Sequence, residues 1–243
     1  MASVHEHYAQ LLARHYVWMN GDFDAKVAAD RQFLDSLGLE PRAGGLAVDL
    51  GCGPGYQSLA LAQAGYRVLA IDTSAALLQE LADHTEQWSI ARVQGDLVDF
   101  EAACAAAPEL CVCMGDTLSH LPDVEAVAAL FGAVAGALAA DGALVLTYRD
   151  LTRELKDADR FLAVHSDANT VFTCFLEYEP EHVKVHDLVY TRDEGGWSLH
   201  KGWYRKLRLG KARVMAMLEQ SGLQVREVEA RAGMVGLVAT KVA

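Results

Sequence analysis

Residues 48–56 read Val48-Asp49-Leu50-Gly51-Cys52-Gly53-Pro54-Gly55-Tyr56, and Asp72 stands at the end of the next apolar run. An apolar strand that empties into alternating glycines and then a helix makes a cradle for a nucleotide. Glycine reaches positive φ freely and lets backbone N–H groups come close to a ligand. A carboxylate one strand later can accept two hydrogen bonds from the hydroxyls of a ribose. The stretch therefore points to an adenosine-bearing cofactor held at the carboxyl end of a strand.

On either side of this stretch the chain keeps a regular rhythm. The pattern predicts strands over 46–50, 66–71, 91–94, 110–114 and 143–148, with helices over 57–64, 74–84 and 99–107 and a long one opened by Pro122. Val124, Val127, Phe131, Val134 and Leu138 form the inner stripe of that last helix. Such alternation implies parallel strands joined by right-handed helical crossovers. Upstream, Phe23, Val27, Phe33, Leu34 and Leu37 recur at helical spacing within a helical region over 3–38, stopped by Gly38, and a turn follows over 41–45.

The rhythm changes after Asp150. A polar helical segment is expected to about residue 160, then three β-like stretches over 171–178, 183–191 and 197–207. Glu179-Pro180-Glu181 and Asp193-Glu194-Gly195-Gly196 separate them as hairpin turns. A helix over 211–221 and strands near 225–228 and 235–240 close the chain. Three antiparallel strands alone hold a thin core, so the block reads as an insertion and not as an independent domain. The expected organisation is one domain over 1–243: a helical cap (1–40), a cofactor-binding core (45–150), an antiparallel insertion (151–208), and a final helix with two strands of the core (209–243).

Composition narrows the function classes. A chain of 243 residues can bury about 70–75% of its unfolded surface, so it needs no disulfide or metal staple. The net charge of −12 argues against nucleic acid as a partner. The basic cluster Lys201, Arg205, Lys206, Arg208, Lys211 and Arg213 reads first as a solvated face and second as a surface for an anionic substrate. No apolar stretch reaches the length of a membrane span, and the start of the chain lacks the pattern of a secretory signal. Five cysteines, an odd number, in apolar contexts suit reduced thiols and a cytoplasmic location. No zinc site is expected, because Cys111-x-Cys113 has no partner pair. His182 and His186 share a strand face without a third ligand and read as surface residues.

The spacing of the glycines discriminates among cofactors. A dinucleotide site needs Gly-x-Gly-x-x-Gly, whereas here the spacing is Gly-x-Gly-x-Gly and position 56 is Tyr. Asp49 at the end of the first strand suits a cofactor with an ammonium or sulfonium charge better than a pyrophosphate. Asp96, closing strand three, can take a hydrogen bond from an adenine amino group.

With these residues the chain resembles the class I S-adenosylmethionine-dependent methyltransferases. The resemblance rests on 48–55, on Ala70-Ile71-Asp72, on Gln94-Gly95-Asp96, on Met114-Gly115-Asp116 with Leu118-Ser119-His120-Leu121, and on 138–147. It implies a doubly wound, Rossmann-like α/β sheet of seven strands, the last antiparallel, with N-terminal helices and a three-stranded insertion after strand five. It further implies that Gly51, Cys52 and Gly53 line the methionine part of the cofactor. Asp72 would hold the ribose, Asp96 and Leu97 the adenine, and Met114 and Gly115 the sulfonium end, with Asp49, Gly55 and Thr73 also among the cofactor-binding residues. Gly115-Asp116 departs from the Asn often found there, and Asp141-Gly142-Ala143 stands where Pro-Gly-Gly is common.

The implied activity is methyl transfer from S-adenosylmethionine to a small molecule, leaving S-adenosylhomocysteine. A catalytically silent binder of the cofactor and a nicotinamide-dependent oxidoreductase are the alternatives, the latter disfavoured by the glycine spacing. Methyl transfer demands alignment above all, and a base only where the acceptor must lose a proton. His120, just after strand four, is the candidate base, or else it packs at a helix start. Tyr16 and Trp18 either cover the cofactor or serve as core aromatics. Arg149 either binds an acceptor carboxylate or pairs with Asp150. The insertion, through Trp203 and Tyr204, either builds the acceptor pocket or forms the surface of a homodimer.

Overall fold

The structure is a computed structural model and describes residues 4–42, 45–231 and 233–241. Positions 43 and 44 of the turn expected over 41–45 lie outside the described residues. Five strands, β1 (Leu46–Leu50), β2 (Arg67–Asp72), β3 (Ile90–Gln94), β4 (Leu110–Cys113) and β5 (Ala143–Tyr148), run parallel. Two more, β10 (Leu223–Val228) and β11 (Val235–Lys241), complete a seven-stranded sheet in the order β10-β11-β5-β4-β1-β2-β3. The last strand, β11, lies antiparallel to both neighbours. The chain winds one way from β1 to β3 and the other way from β4 onward. Ligands in such sheets bind where that order reverses, here beyond the carboxyl ends of β1 and β4.

Period-two alternation splits the strand residues between two cores. Val48, Leu50, Leu69, Ile71, Cys111, Cys113, Leu144 and Leu146 face α6 (Val124–Ala137) and α7 (Lys211–Gln220). Ala47, Val68, Ala70, Leu110, Val112 and Val145 face α3 (Phe23–Ser36), α4 (Tyr56–Gln63) and α5 (Ala75–His84). Helix starts follow the sequence: Asp22, Ser74 and Asp123 each accept a backbone N–H of the first turn of α3, α5 and α6.

Three expectations need correction. The antiparallel block has four strands and not three: β6 (Phe161–Ser166), β7 (Thr170–Tyr178), β8 (His182–Asp193) and β9 (Gly196–Leu207), paired in that order. The polar segment before it is helical only as a single 3-10 turn, Asp157–Arg160. The N-terminal helical region is broken as well. It comprises α1 (Val4–His7), a π-helical turn Tyr8–Leu12 and α2 (Ala13–Asn20), and Gly21 with φ +83° separates these from α3. A third core joins this cap to the antiparallel sheet through Leu11, Leu12, Phe172, Leu176, Val183, Val185, Val189 and Tyr204.

Candidate active site

The turn after β1 has the conformation its glycines allow. Gly51, Gly53 and Gly55 have φ of +77°, +54° and +96°. At Gly51 a Cβ would meet Thr117 Cγ2 at 2.2 Å, so the turn passes too close to the segment after β4 for any side chain. At Gly53 the nearest atom is Tyr16 Cε1, 3.8 Å away, which places the cap tyrosine over the turn with a gap between them. The turn is tied to β2 by Gly51 N and Cys52 N, which both donate to Ile71 O. Cys52 is buried beneath it.

Each strand-end acid has a different environment. Asp72 is half-buried, and its two oxygens accept from Gly53 N and Ser74 N, both at 2.8 Å. Thr73 N–H bonds the same carboxylate, so three backbone donors fix it and leave it capacity to accept from a ligand hydroxyl. Thr73 is exposed beside it, its carbonyl accepting from Gln94 Nε2. Asp96 is exposed and caps the turn that follows β3 by accepting from Val98 N, with Leu97 half-buried next to it. Asp49 is 1% exposed and accepts from Ser58 Oγ at 2.6 Å. It lies under the turn and not at its surface. Burial pushes its carboxyl up to about 7, against the opposing bond from Ser58.

The other half of the cleft is built after β4. Met114 is buried, and Gly115, with φ +77°, donates its N–H to Thr147 Oγ1 and has nothing within 4 Å of a would-be Cβ. Thr117 Oγ1 donates toward Met114 O and Gly51 O, holding the two turns together. Asp116 forms ion pairs with Arg149 Nη1 and, at 2.7 Å, with Lys206 Nζ, and accepts Arg149 N. Burial alone would raise this carboxyl, but Lys206 and Arg149 outweigh it and hold the group well below the ordinary carboxylate range.

His120 completes that wall. Its ring stacks on Tyr204 (centroids 5.4 Å apart, planes 15°) and meets Tyr8 edge-on at 5.7 Å. Tyr8 in turn lies 5.9 Å from Tyr16. The Nδ1 atom of His120 is buried without a hydrogen-bond partner. Burial, and then the charge of Lys206, push its pKa down to about 3, so the ring is neutral at physiological pH. Behind Tyr204, His7 packs at a tilt of 33° with ring centroids 4.9 Å apart, and it shares a buried 2.7 Å contact with Asp187. Gly202 admits that ring, since a Cβ there would lie 2.7 Å from it.

The structure thus brings Tyr16, the glycine turn, Asp72, Met114, Gly115, His120, Arg149 and Tyr204 to one end of the sheet, with Asp96 at the end of β3. Trp203 is not among them. It lies on the opposite face of the antiparallel sheet from Tyr204, beside His186 and under the Lys184 and Arg205 cations. Arg149 pairs with Asp116 instead of Asp150, whose carboxylate takes Thr152 and Lys211 N–H groups. Trp18 bonds Asp167 and packs on His165, tying the cap to the antiparallel block. His186 pairs with Glu177 on the outer face. Among the described residues no group of three or more His, Cys, Asp or Glu side chains could hold a metal ion, and no helix is long and apolar enough to cross a membrane.

Sequence reasoning missed Lys206 and Tyr8. Lys206 read as one of a solvated basic run, yet it lies two residues from Tyr204 on β9, and a strand repeats its faces every second residue.

Residues 47–142 match the family described as "Methyltransferase domain". Among curated proteins, a 59-residue stretch is 42% identical to a cypemycin N-terminal methyltransferase from Streptomyces sp, covering 24% of each chain. Among solved structures, Streptomyces venezuelae DesVI superposes with a TM-score of 0.78 at 18% identity, over 97% of this chain and 98% of that one. CalS10, described as an amino pentose methyltransferase from Micromonospora echinaspora with S-adenosylmethionine bound, gives 0.72 at 17% identity, over 97% and 96%. These structural likenesses establish a shared fold along nearly the whole chain.

Proposed function

We propose that this chain, whose residues 47–142 match the methyltransferase-domain family, is an S-adenosylmethionine-dependent methyltransferase acting on a small-molecule acceptor. One observation carries the reading. A glycine turn with three left-handed residues faces Asp72 at the next strand end, and the open position Gly115 faces the same cleft. That surface suits an adenosine with a sulfur-bearing tail. Its residues fit the group: Gly53 and Gly115 leave space a side chain would fill, and Asp72 keeps acceptor capacity for ribose hydroxyls.

When bound, the cofactor supplies an electrophilic methyl on a positively charged sulfur that is its own leaving group. The protein supplies alignment, worth on the order of 7–11 kcal/mol when two reactants are held in line. Tyr16 closes the cleft above the glycine turn, while Met114 and Gly115 form its floor after β4. The acceptor lies against His120, Tyr8 and Tyr204. His120 is neutral with an unpartnered Nδ1, so it can accept a hydrogen bond from an N–H of an amine acceptor and aim the amine's lone pair at the methyl. Asp116, locked by Lys206 and Arg149, holds the mouth of this pocket rigid. An amine acceptor also agrees with KedS8 of Streptoalloteichus sp, a sugar N-methyltransferase with a similar fold. On this reading the chain is one domain in which 1–40 and 151–208 form the two covers of the acceptor site.

The test is turnover with methyl-labelled S-adenosylmethionine and pooled amines, alcohols and thiols. Label in an amine pool, together with tight S-adenosylhomocysteine binding, is the expected result. Binding without transfer to any pool would reduce the protein to a cofactor binder, and no binding would overturn the reading.

A further inference from the structure

On β8, Val183, Val185 and Val189 turn one face toward the N-terminal cap, and Asp187 stands on that same face, 2% exposed. Its carboxylate meets Nε2 of His7 at 2.7 Å, a partner 180 residues away in α1 and itself 3% exposed. Across the sheet Asp187 is in register with Gly202 of β9. Gly202 lies within the strand and has no positive φ, so the backbone does not call for a glycine. The imidazole does: a Cβ would lie 2.7 Å from its Cε1 and Nδ1 atoms. A glycine inside a strand weakens it and marks a place where another group approaches closely. Three elements thus build one socket for one ring.

Stability alone does not explain this socket. A buried pair of ionisable groups can often be replaced by apolar residues without loss of stability, and its best-attested use is to fix register. The cap needs such a fix. Leu11 and Leu12 dock it on the sheet through apolar contacts, which have no direction. Successive residues of a helix point about 100° apart, so a slip of one residue would turn Tyr8 away from its neighbours. The chain also leaves α geometry directly after His7, in the π-helical turn Tyr8–Leu12. Such turns are rare and are frequent at functional sites. Here the turn sets Tyr8 against Tyr16, His120 and Tyr204 while Leu11 and Leu12 stay buried. Tyr204 in turn has the His7 ring at 4.9 Å and the His120 ring at 5.4 Å.

We propose that His7 and Asp187 are positioning residues: their bond, in the space left by Gly202, fixes the register of the cap so that Tyr8 and Tyr204 close over His120. The pair takes no chemical step and acts through those two tyrosines. Its kinetic consequence rests on the methyltransferase reading. Its structural consequence, the sealing of His120 from water, does not.

The test replaces the pair with apolar residues. The double variant His7→Leu with Asp187→Val is expected to melt no lower than the wild type and to lose the seal over His120. Imidazole NMR reads the seal, with the His120 signal identified by its absence from His120→Gln. The groups facing that ring are Lys206, Asp116 with its partner Arg149, His7, and the phenols of Tyr8 and Tyr204. In the wild type the ring stays neutral from pH 5 to 8, whereas in the double variant it titrates nearer the ordinary 6.5. His7→Gln separates register from charge, because its amide still donates to Asp187 while the ionisable ring is gone. It is expected to keep His120 silent. With methyl-labelled S-adenosylmethionine and the amine pool, the double variant should lose roughly ten- to hundredfold in kcat/KM, the range of a misplaced reacting group. Its S-adenosylhomocysteine affinity, read by calorimetry, should stay unchanged. A double variant that keeps His120 silent, or that melts well below the wild type, would overturn the register role. So would a His7→Gln chain that behaves like the double variant. No label from the wild type in any pool would instead remove the methyltransferase reading, and the NMR comparison would still decide the register.

Discussion

Asp49 gives the sharpest test of how the glycine turn is supported. The carboxyl is 1% exposed, has one good hydrogen bond, from Ser58 Oγ, and is pushed up to about 7 by burial. In the unfolded chain it titrates near its ordinary value of 3.8. A folded pKa raised in this way means that the folded state binds the extra proton. Stability is then greatest below about 4, falls as pH rises through 7, and levels off above it. At about 1.4 kcal/mol per pKa unit, the difference comes to about 4 kcal/mol at pH 8, as an upper figure for a site that water cannot enter. A side-chain amide at this position keeps an oxygen to accept the Ser58 hydroxyl and has no proton to lose. Asp49→Asn is therefore expected to be more stable than the wild type by about 2–4 kcal/mol at pH 8, the gap closing toward pH 4.

The assay is urea unfolding of both proteins at half-unit intervals from pH 4.5 to 8.5. All other titrating groups are common to the two chains, so their contributions cancel in the difference. Parallel stability profiles would refute the claim that Asp49 is buried at a cost. The same substitution is expected to weaken S-adenosylmethionine more than S-adenosylhomocysteine, because only the former brings a positive sulfur near the lost negative charge. A variant more stable yet poorer at holding the charged cofactor would assign Asp49 an electrostatic role despite its lack of direct exposure.

His120→Gln is expected to lower kcat by roughly 10² through misplacement of the acceptor, with little change in S-adenosylhomocysteine affinity, and the wild-type rate should show no histidine limb between pH 5 and 7, since the ring is already neutral there. A limb near 6.5, abolished by the variant, would contradict the burial that lowers its pKa. Gly51→Ala places a Cβ 2.2 Å from Thr117 Cγ2 at a φ of +77° and should abolish cofactor binding measured by calorimetry. Adding Thr117→Ser removes the clashing methyl but leaves about 1–2 kcal/mol of left-handed strain, so recovery should be partial. Tyr204→Leu should reduce kcat/KM for the acceptor by roughly tenfold through loss of the His120 stack, whereas Trp203→Ala on the outer face should stay within about twofold in steady-state assays.

The parts legible in the sequence are those whose signal is local. β1, β2, β4 and β5 are apolar runs bounded by glycines or acids, and their alternate residues fill the two faces of the sheet as the period-two pattern requires. The glycine turn is legible for the same reason, because positive φ selects the residue whatever surrounds it. β6 escapes such a reading because it is an edge strand with Phe161, Leu162 and Val164 exposed and a register shift between Ala163 and His165, so neither burial nor alternation marks it. Trp203 and Tyr204 illustrate a deeper limit. Adjacent strand residues must face opposite ways, but only the docking of the N-terminal cap decides which face becomes the pocket wall. Asp30 goes further still: on α3 it occupies a position that reads as polar surface, and it is buried only because Gln57 and Arg231 arrive from distant segments. The cradle for adenosine is thus written in consecutive residues. The features that would select the acceptor arise where segments far apart in sequence meet, so they become visible only once the chain is folded.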